Sequence, residues 1–92
     1  MSTAMMTETY NGWASYETWN VALYIQNEYA IYKMAYDYVR QCERLNEVVD
    51  YTQLADVIAM NFGDTTADGV SWTDISELDT TELDEMLREL VD

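Results

Sequence analysis

Trp13-Ala14-Ser15-Tyr16-Glu17-Thr18-Trp19-Asn20-Val21-Ala22-Leu23-Tyr24-Ile25-Gln26-Asn27 is the stretch on which the fold turns. Ser15 has the short hydroxyl of an N-cap, and Glu17 puts a carboxylate in the first turn, where it meets the positive end of a helix dipole. The spacing predicts a helix over 16–26. Trp19, Leu23 and Gln26 share one stripe and Val21 and Ile25 another, so the helix is apolar around most of its circumference and belongs at the centre of the domain. No acid–base or metal partner stands near it. Its residues cap and pack, and Tyr16, Glu17 and Asn20 are the outward side chains a partner could touch.

Upstream, residues 1–11 have no hydrophobic period and read as a flexible lead-in, ending where Asn11-Gly12 makes a turn. Residues 12–92 read as one helical domain. Downstream, Asn27 breaks the apolar run and can cap the next helix, unless the two run on as one bent helix. From 28 to 46, Ile31, Ala35, Tyr38, Cys42 and Leu45 recur at helical spacing, while Tyr29, Tyr32 and Tyr36 mark a second face. Asp50 and Gln53 have the form of a capping box, opening a helix over 51–62 that turns Leu54, Val57, Ile58 and Phe62 inward and stops at Gly63.

A polar loop follows, with Val70, Trp72 and Ile75 expected to anchor the returning chain and a short helical turn expected at 73–78. Asp79 and Glu82 form a second capping box, before a helix over 80–91 with Leu83, Met86, Leu87 and Leu90 inward. The class expected is all-α: a compact single domain of three main helices plus an acidic C-terminal helix, seeded by Trp13, Trp19 and Trp72.

The chain has no histidine and one cysteine, which excludes Ser-His-Asp and Cys-His nucleophilic sites, zinc sites with histidine, and thiolate clusters. Cys42 falls on the apolar stripe of the long helix and reads as packing, with Arg40 and Arg44 expected to form ion pairs with Asp37, Glu43 and Glu47. Asp64-Thr65-Thr66-Ala67-Asp68-Gly69 begins like a calcium loop, but Ile75 stands where the bidentate glutamate is needed. No enzyme, no cofactor and no metal is therefore expected. There is no signal-like N-terminus and no membrane-length apolar run, and a lone cysteine suits a cytoplasmic setting.

Charge is the departure from the ordinary. Eighteen acids against four bases give a formal net charge of −14, and from Asp50 onward twelve acids face one base, Arg88. Such a surface repels nucleic acid and anionic membranes directly. Either it keeps the protein soluble, or it imitates nucleic acid: carboxylates on Asp64, Asp68, Asp74, Glu77, Glu82, Glu85, Glu89 and Asp92 could occupy lysine and arginine sites meant for phosphates. Tyr29, Tyr32 and Tyr36 offer an alternative interface, for a homodimer or an adaptor, with the acidity then serving solubility alone.

Trp13 with the Ser15–Glu28 block resembles the "YETWNVALWI-ND" signature of small, largely uncharacterised proteins of bacteriophages, plasmids and cyanobacteria. Asp68-Gly69-Val70-Ser71-Trp72, Leu78-Asp79 and Glu82–Leu87 are similar to their C-terminal part. Tyr24 stands where that group often has tryptophan, and Glu28-Tyr29 where it often has an acidic residue and glycine. The resemblance implies a phage-like setting, and with it an acidic, non-enzymatic inhibitor, similar to anti-restriction and anti-CRISPR proteins. Such an inhibitor would bind the basic nucleic-acid site of a host defence nuclease or CRISPR effector in the host cytoplasm.

Overall fold

Short polar side chains start three of the four helices where the sequence places them. In the computed structural model, which describes residues 10–91, α1 spans Tyr16–Asn27, α2 Tyr29–Leu45, α3 Tyr51–Phe62 and α4 Thr80–Glu89, with no strand among the described residues. The protein is all-α. Ser15 Oγ accepts the Thr18 N–H at 3.1 Å, Asp50 Oδ1 the Thr52 N–H at 2.9 Å and Asp79 Oδ1 the Glu82 N–H at 3.0 Å. Each bond satisfies a donor that the first turn leaves free.

Both capping boxes are only half closed, because their reciprocal bonds go to tertiary partners. The Asp50 N–H donates to the Tyr38 hydroxyl at 3.0 Å, and Gln53 Oε1 lies 3.1 Å from that hydroxyl. The Asp79 N–H donates to Thr18 Oγ1 at 2.9 Å, while Glu82 Oε1 accepts the Ala14 N–H at 2.8 Å. A local motif has become a long-range tie at each site.

Between α1 and α2 the chain breaks at one residue. Glu28 has an extended ψ of 112°, so there are two helices and not one bent one, and Glu28, without a side-chain cap, takes the place expected of Asn27. Asn27 Nδ2 instead donates back to Leu23 O. α2 ends at Asn46 in the left-handed region, which asparagine tolerates. Gly63 stops α3 at a φ of 98°, and Leu90 and Val91 lie beyond the end of α4.

α1 and α3 do not meet. α2 and α4 lie between them, each touching the other three helices. The core they share includes Val21, Ile25, Ala35, Leu54, Leu83 and Leu87, and the 63–79 segment closes it with Val70, Trp72 and Leu78. Several expected core positions differ. α3 turns Tyr51, Leu54, Ala55 and Ile58 inward and leaves Val57 and Phe62 exposed, since the 51-54-55-58 stripe is the one that faces α4 and the loop. Leu45 is exposed at the end of α2, and within the helix Val39 takes the inner place expected of Tyr38, which is half-buried. Ile75 is exposed, Leu78 anchors in its stead, and residues 73–78 make turns, not a helix.

Tyr51 can be buried because its hydroxyl donates to Trp72 O at 2.6 Å. Burial pushes its pKa up. Burial also pushes Tyr38 up to about 12 from 10.0, against the lowering effect of its bond with the Asp50 backbone. Raised folded-state values mean that the folded state holds these protons longer than the unfolded chain does. The contribution of Tyr38 is complete below pH 10.0 and is lost as pH rises through the 10–12 window. Tyr38→Phe should therefore flatten, without abolishing, the fall of melting temperature across that window, as thermal melts at stepped alkaline pH will show; an unchanged slope refutes the assignment to Tyr38.

Candidate functional site

α1 is the spine to which the acidic half of the chain is tied. Asn20 is 0% exposed, which corrects the expectation that it faces a partner. Its Nδ2 donates to Asp68 Oδ2 at 2.8 Å and its Oδ1 accepts the Thr66 hydroxyl at 2.7 Å. Thr66 Oγ1 in turn accepts the Asp68 and Val70 N–H groups, and the Tyr24 hydroxyl reaches Asp68 Oδ2 at 3.2 Å. Partial burial, then the Asp68 bond and charge, raise the Tyr24 pKa. The loop that begins like a calcium site thus spends its Thr66 and Asp68 oxygens on α1. No group of three metal-ligating side chains occurs among the described residues.

On another flank of α1, Glu82, Glu85 and Glu89 of α4 line a cleft of about 230 Å³ with Gly12, Trp13, Gln26 and Met86. Tyr24 and Gln26 are two positions apart, about 200° around a helix, so the Asp68 loop and this cleft lie on different sides of α1. The seven expected acids among the described residues therefore do not form one continuous face. Asp68 and Glu82 are held by the bonds above, and Asp74 Oδ1 caps Ser76 within its own loop. The carboxylates of Asp64, Glu77, Glu85 and Glu89 have no hydrogen-bond or ion-pair partner among the described residues. Glu77 is brought to α1 through its carbonyl, which accepts the Ser15 hydroxyl at 3.2 Å. Asp92 lies outside the described residues.

The tyrosines expected as an alternative interface stand along α2. Tyr29 is 73% exposed, the Tyr32 and Tyr36 rings are 6.1 Å apart, and Arg40 lies 5.9 Å above Tyr36. Arg40 pairs with Glu43 at 3.4 Å, but Asp37 is taken by Lys33 at 2.9 Å, and Arg44 makes no ion pair among the described residues. Asp37 accordingly raises the Lys33 pKa. Cys42 is buried in the core, as packing requires.

One cluster escaped the sequence reading. Asn11 and Gly12 have φ of 50° and 89°, the pair of positive values of a type I′ turn, which brings Tyr10 and Trp13 together through hydrogen bonds of 2.6 and 2.8 Å. Tyr10 and Asn11 thus belong to the folded domain, while residues 1–9 of the expected lead-in lie outside the described residues. The Tyr10 ring sits 4.7 Å from Trp19 and 5.3 Å from Tyr16, and Tyr16 lies 5.7 Å from Trp19. The available signal was the Asn-Gly pair between two aromatics.

No helix among the described residues is long and apolar enough to cross a membrane. No curated protein and no solved structure shows significant similarity to this chain. A family model described as a family of unknown function matches residues 6–92, and the chain belongs to that family, DUF7249.

Proposed function

We propose that this protein is a non-enzymatic binding protein that places unpaired carboxylates in basic sites built for nucleic-acid phosphates. The observation that carries the reading is that the carboxylates of Glu77, Glu85 and Glu89 have no hydrogen-bond or ion-pair partner among the described residues, while the acids that hold the fold together are different ones. Glu82, Glu85 and Glu89 rise along α4 at steps of about 4.5 and 6 Å. Duplex strands carry a phosphate about every 3.4 Å, so the match is to a run of basic side chains and not to a strict repeat. The partner in this reading is a nuclease or CRISPR effector of host defence, the setting implied by the resemblance of the Ser15–Glu28 block.

The test reverses only the carboxylates that the fold does not use. In a DNA-cleavage assay with such an effector, the wild-type chain should inhibit, with inhibition weakening as salt rises. Glu77→Lys/Glu85→Lys/Glu89→Lys should lose at least about tenfold in potency while keeping its melting temperature. Undiminished inhibition by the triple variant sinks the proposal.

A second reading, self-association or adaptor docking through Tyr29, Tyr32 and Tyr36, is favoured by the exposure of the Tyr29 ring on α2. It predicts assembly that sedimentation finds insensitive to salt and sensitive to Tyr29→Ser.

A further inference from the structure

The Tyr10–Trp13 turn belongs to two features at once. Its first residue lies in the ring cluster with Tyr16 and Trp19, and its last two, Gly12 and Trp13, line the cleft with Glu85 and Glu89. Gln26, also in the cleft, stands seven residues from Trp19 and so falls on the same stripe of α1. An aromatic surface and a run of free carboxylates are therefore neighbours across a single turn.

The rings are not core. Tyr10 and Tyr16 are each 39% exposed, and Trp19 is half-buried. Half-exposed Tyr and Trp, rigid and amphipathic, are the residue types that carry binding energy at interfaces. Their flanking charge selects the occupant. An anionic or purely apolar segment would bring its own charge, or none, beside Glu85 and Glu89; a guanidinium lies flat on a ring face and pairs with a carboxylate at its edge. An ammonium is a compact, strongly hydrated charge that gains less from the rings.

We infer that the Tyr10–Tyr16–Trp19 cluster and the adjoining α4 cleft form one docking surface for an arginine-bearing segment of the partner, with some guanidinium groups stacked on the ring faces and others paired with the Glu85 and Glu89 carboxylates. This inference rests on the acidic-surface reading and adds to it a preference for arginine over lysine. Charge alone draws both cations; the rings separate them.

The probes are a nona-arginine and a nona-lysine peptide, titrated into the full-length chain by calorimetry at low salt. The wild type should bind the arginine peptide about five- to tenfold tighter, the worth of one or two exposed ring–cation contacts. Tyr10→Leu/Tyr16→Leu, chosen because both side chains are partly exposed, removes two of the three rings and should cut that preference at least by half while leaving lysine-peptide affinity unchanged; circular dichroism confirms the variant's fold. Glu85→Lys/Glu89→Lys should weaken both peptides. Equal affinity of the two peptides for wild type, or a preference undiminished in the double tyrosine variant, overturns the arginine surface and leaves the acidic-surface reading standing. Binding of neither peptide overturns both. Self-association through these rings, seen as a mass that falls in the tyrosine variant without peptide, assigns the surface to a second copy and overturns the inference.

Discussion

Trp72→Ala should destabilise the protein by about 3–5 kcal/mol, the range for emptying a large aromatic site in a packed core. For a domain of this length total stability is on the order of 5–14 kcal/mol, so the variant should lie close to unfolding at physiological temperature. Trp72 is 1% exposed and is the largest of the fully buried side chains. It also marks where three parts of the chain meet: its N–H donates to Asp64 O at 3.1 Å, and its carbonyl accepts the Tyr51 hydroxyl. The surrounding helices cannot collapse into the space without moving that carbonyl. Trp72 Nε1 is buried without a partner among the described residues. Trp72→Phe removes this orphaned donor and keeps most of the ring, so it should cost less than half as much. Urea denaturation of the three proteins checks the order; a cost below about 1 kcal/mol for Trp72→Ala contradicts this account of the core.

Asn20→Ala is expected to cost about 2–4 kcal/mol, although it removes only a small polar side chain. Two bonds disappear at once, one of them to a carboxylate, and the Thr66 hydroxyl loses its acceptor in a buried site. Water cannot easily repair the loss where Asn20 is fully enclosed. Thr66→Val in the same background should then cost less than in the wild type, because its bond to Asn20 is already gone and only the acceptor of the Asp68 and Val70 N–H groups remains to be lost. A double-mutant cycle should give a coupling of about 1–2 kcal/mol between them. Additive effects there would show that the loop is held by its apolar anchors alone. Asn20→Asp should be worse than Asn20→Ala near neutral pH, since it sets a second carboxylate against Asp68.

Why these two residues matter was unequally legible. Trp72, an aromatic between a polar loop and an acidic helix, announces an anchor. Asn20 on an apolar helix looks like a residue for solvent, and only the arrival of Thr66 and Asp68, separated from it by 46 and 48 positions, makes it core. The same distance in sequence hid the second halves of the capping boxes. Gln53 and Glu82 stand at the spacing for local closure, yet Tyr38 and Ala14 claim them. On α3, Val57 and Ile58 have equal title to the inside by hydropathy, and the direction from which α4 approaches decides between them.

The candidate site was legible in its chemistry and not in its layout. Counting charges reveals a strongly acidic second half, and absent histidines exclude much nucleophilic chemistry. Counting cannot say that Asp68, Asp74 and Glu82 are spent on the fold while Asp64, Glu77, Glu85 and Glu89 have no partner among the described residues, nor that Asp68 and α4 lie on different sides of α1.

The sequence by itself determined the helical segments, the starts at Ser15, Asp50 and Asp79, and the acidic balance, because caps, periodicity and charge act within a few residues; that the first two segments are separate helices broken at Glu28 came from the structure. Tertiary structure alone decided which carboxylates are available, that Asn20 is buried, and that Tyr10, Tyr16 and Trp19 meet beside the α4 cleft. Those outcomes depend on partners dozens of residues away, and a hydrogen bond or ring contact exists only once packing has brought both sides within a few ångströms.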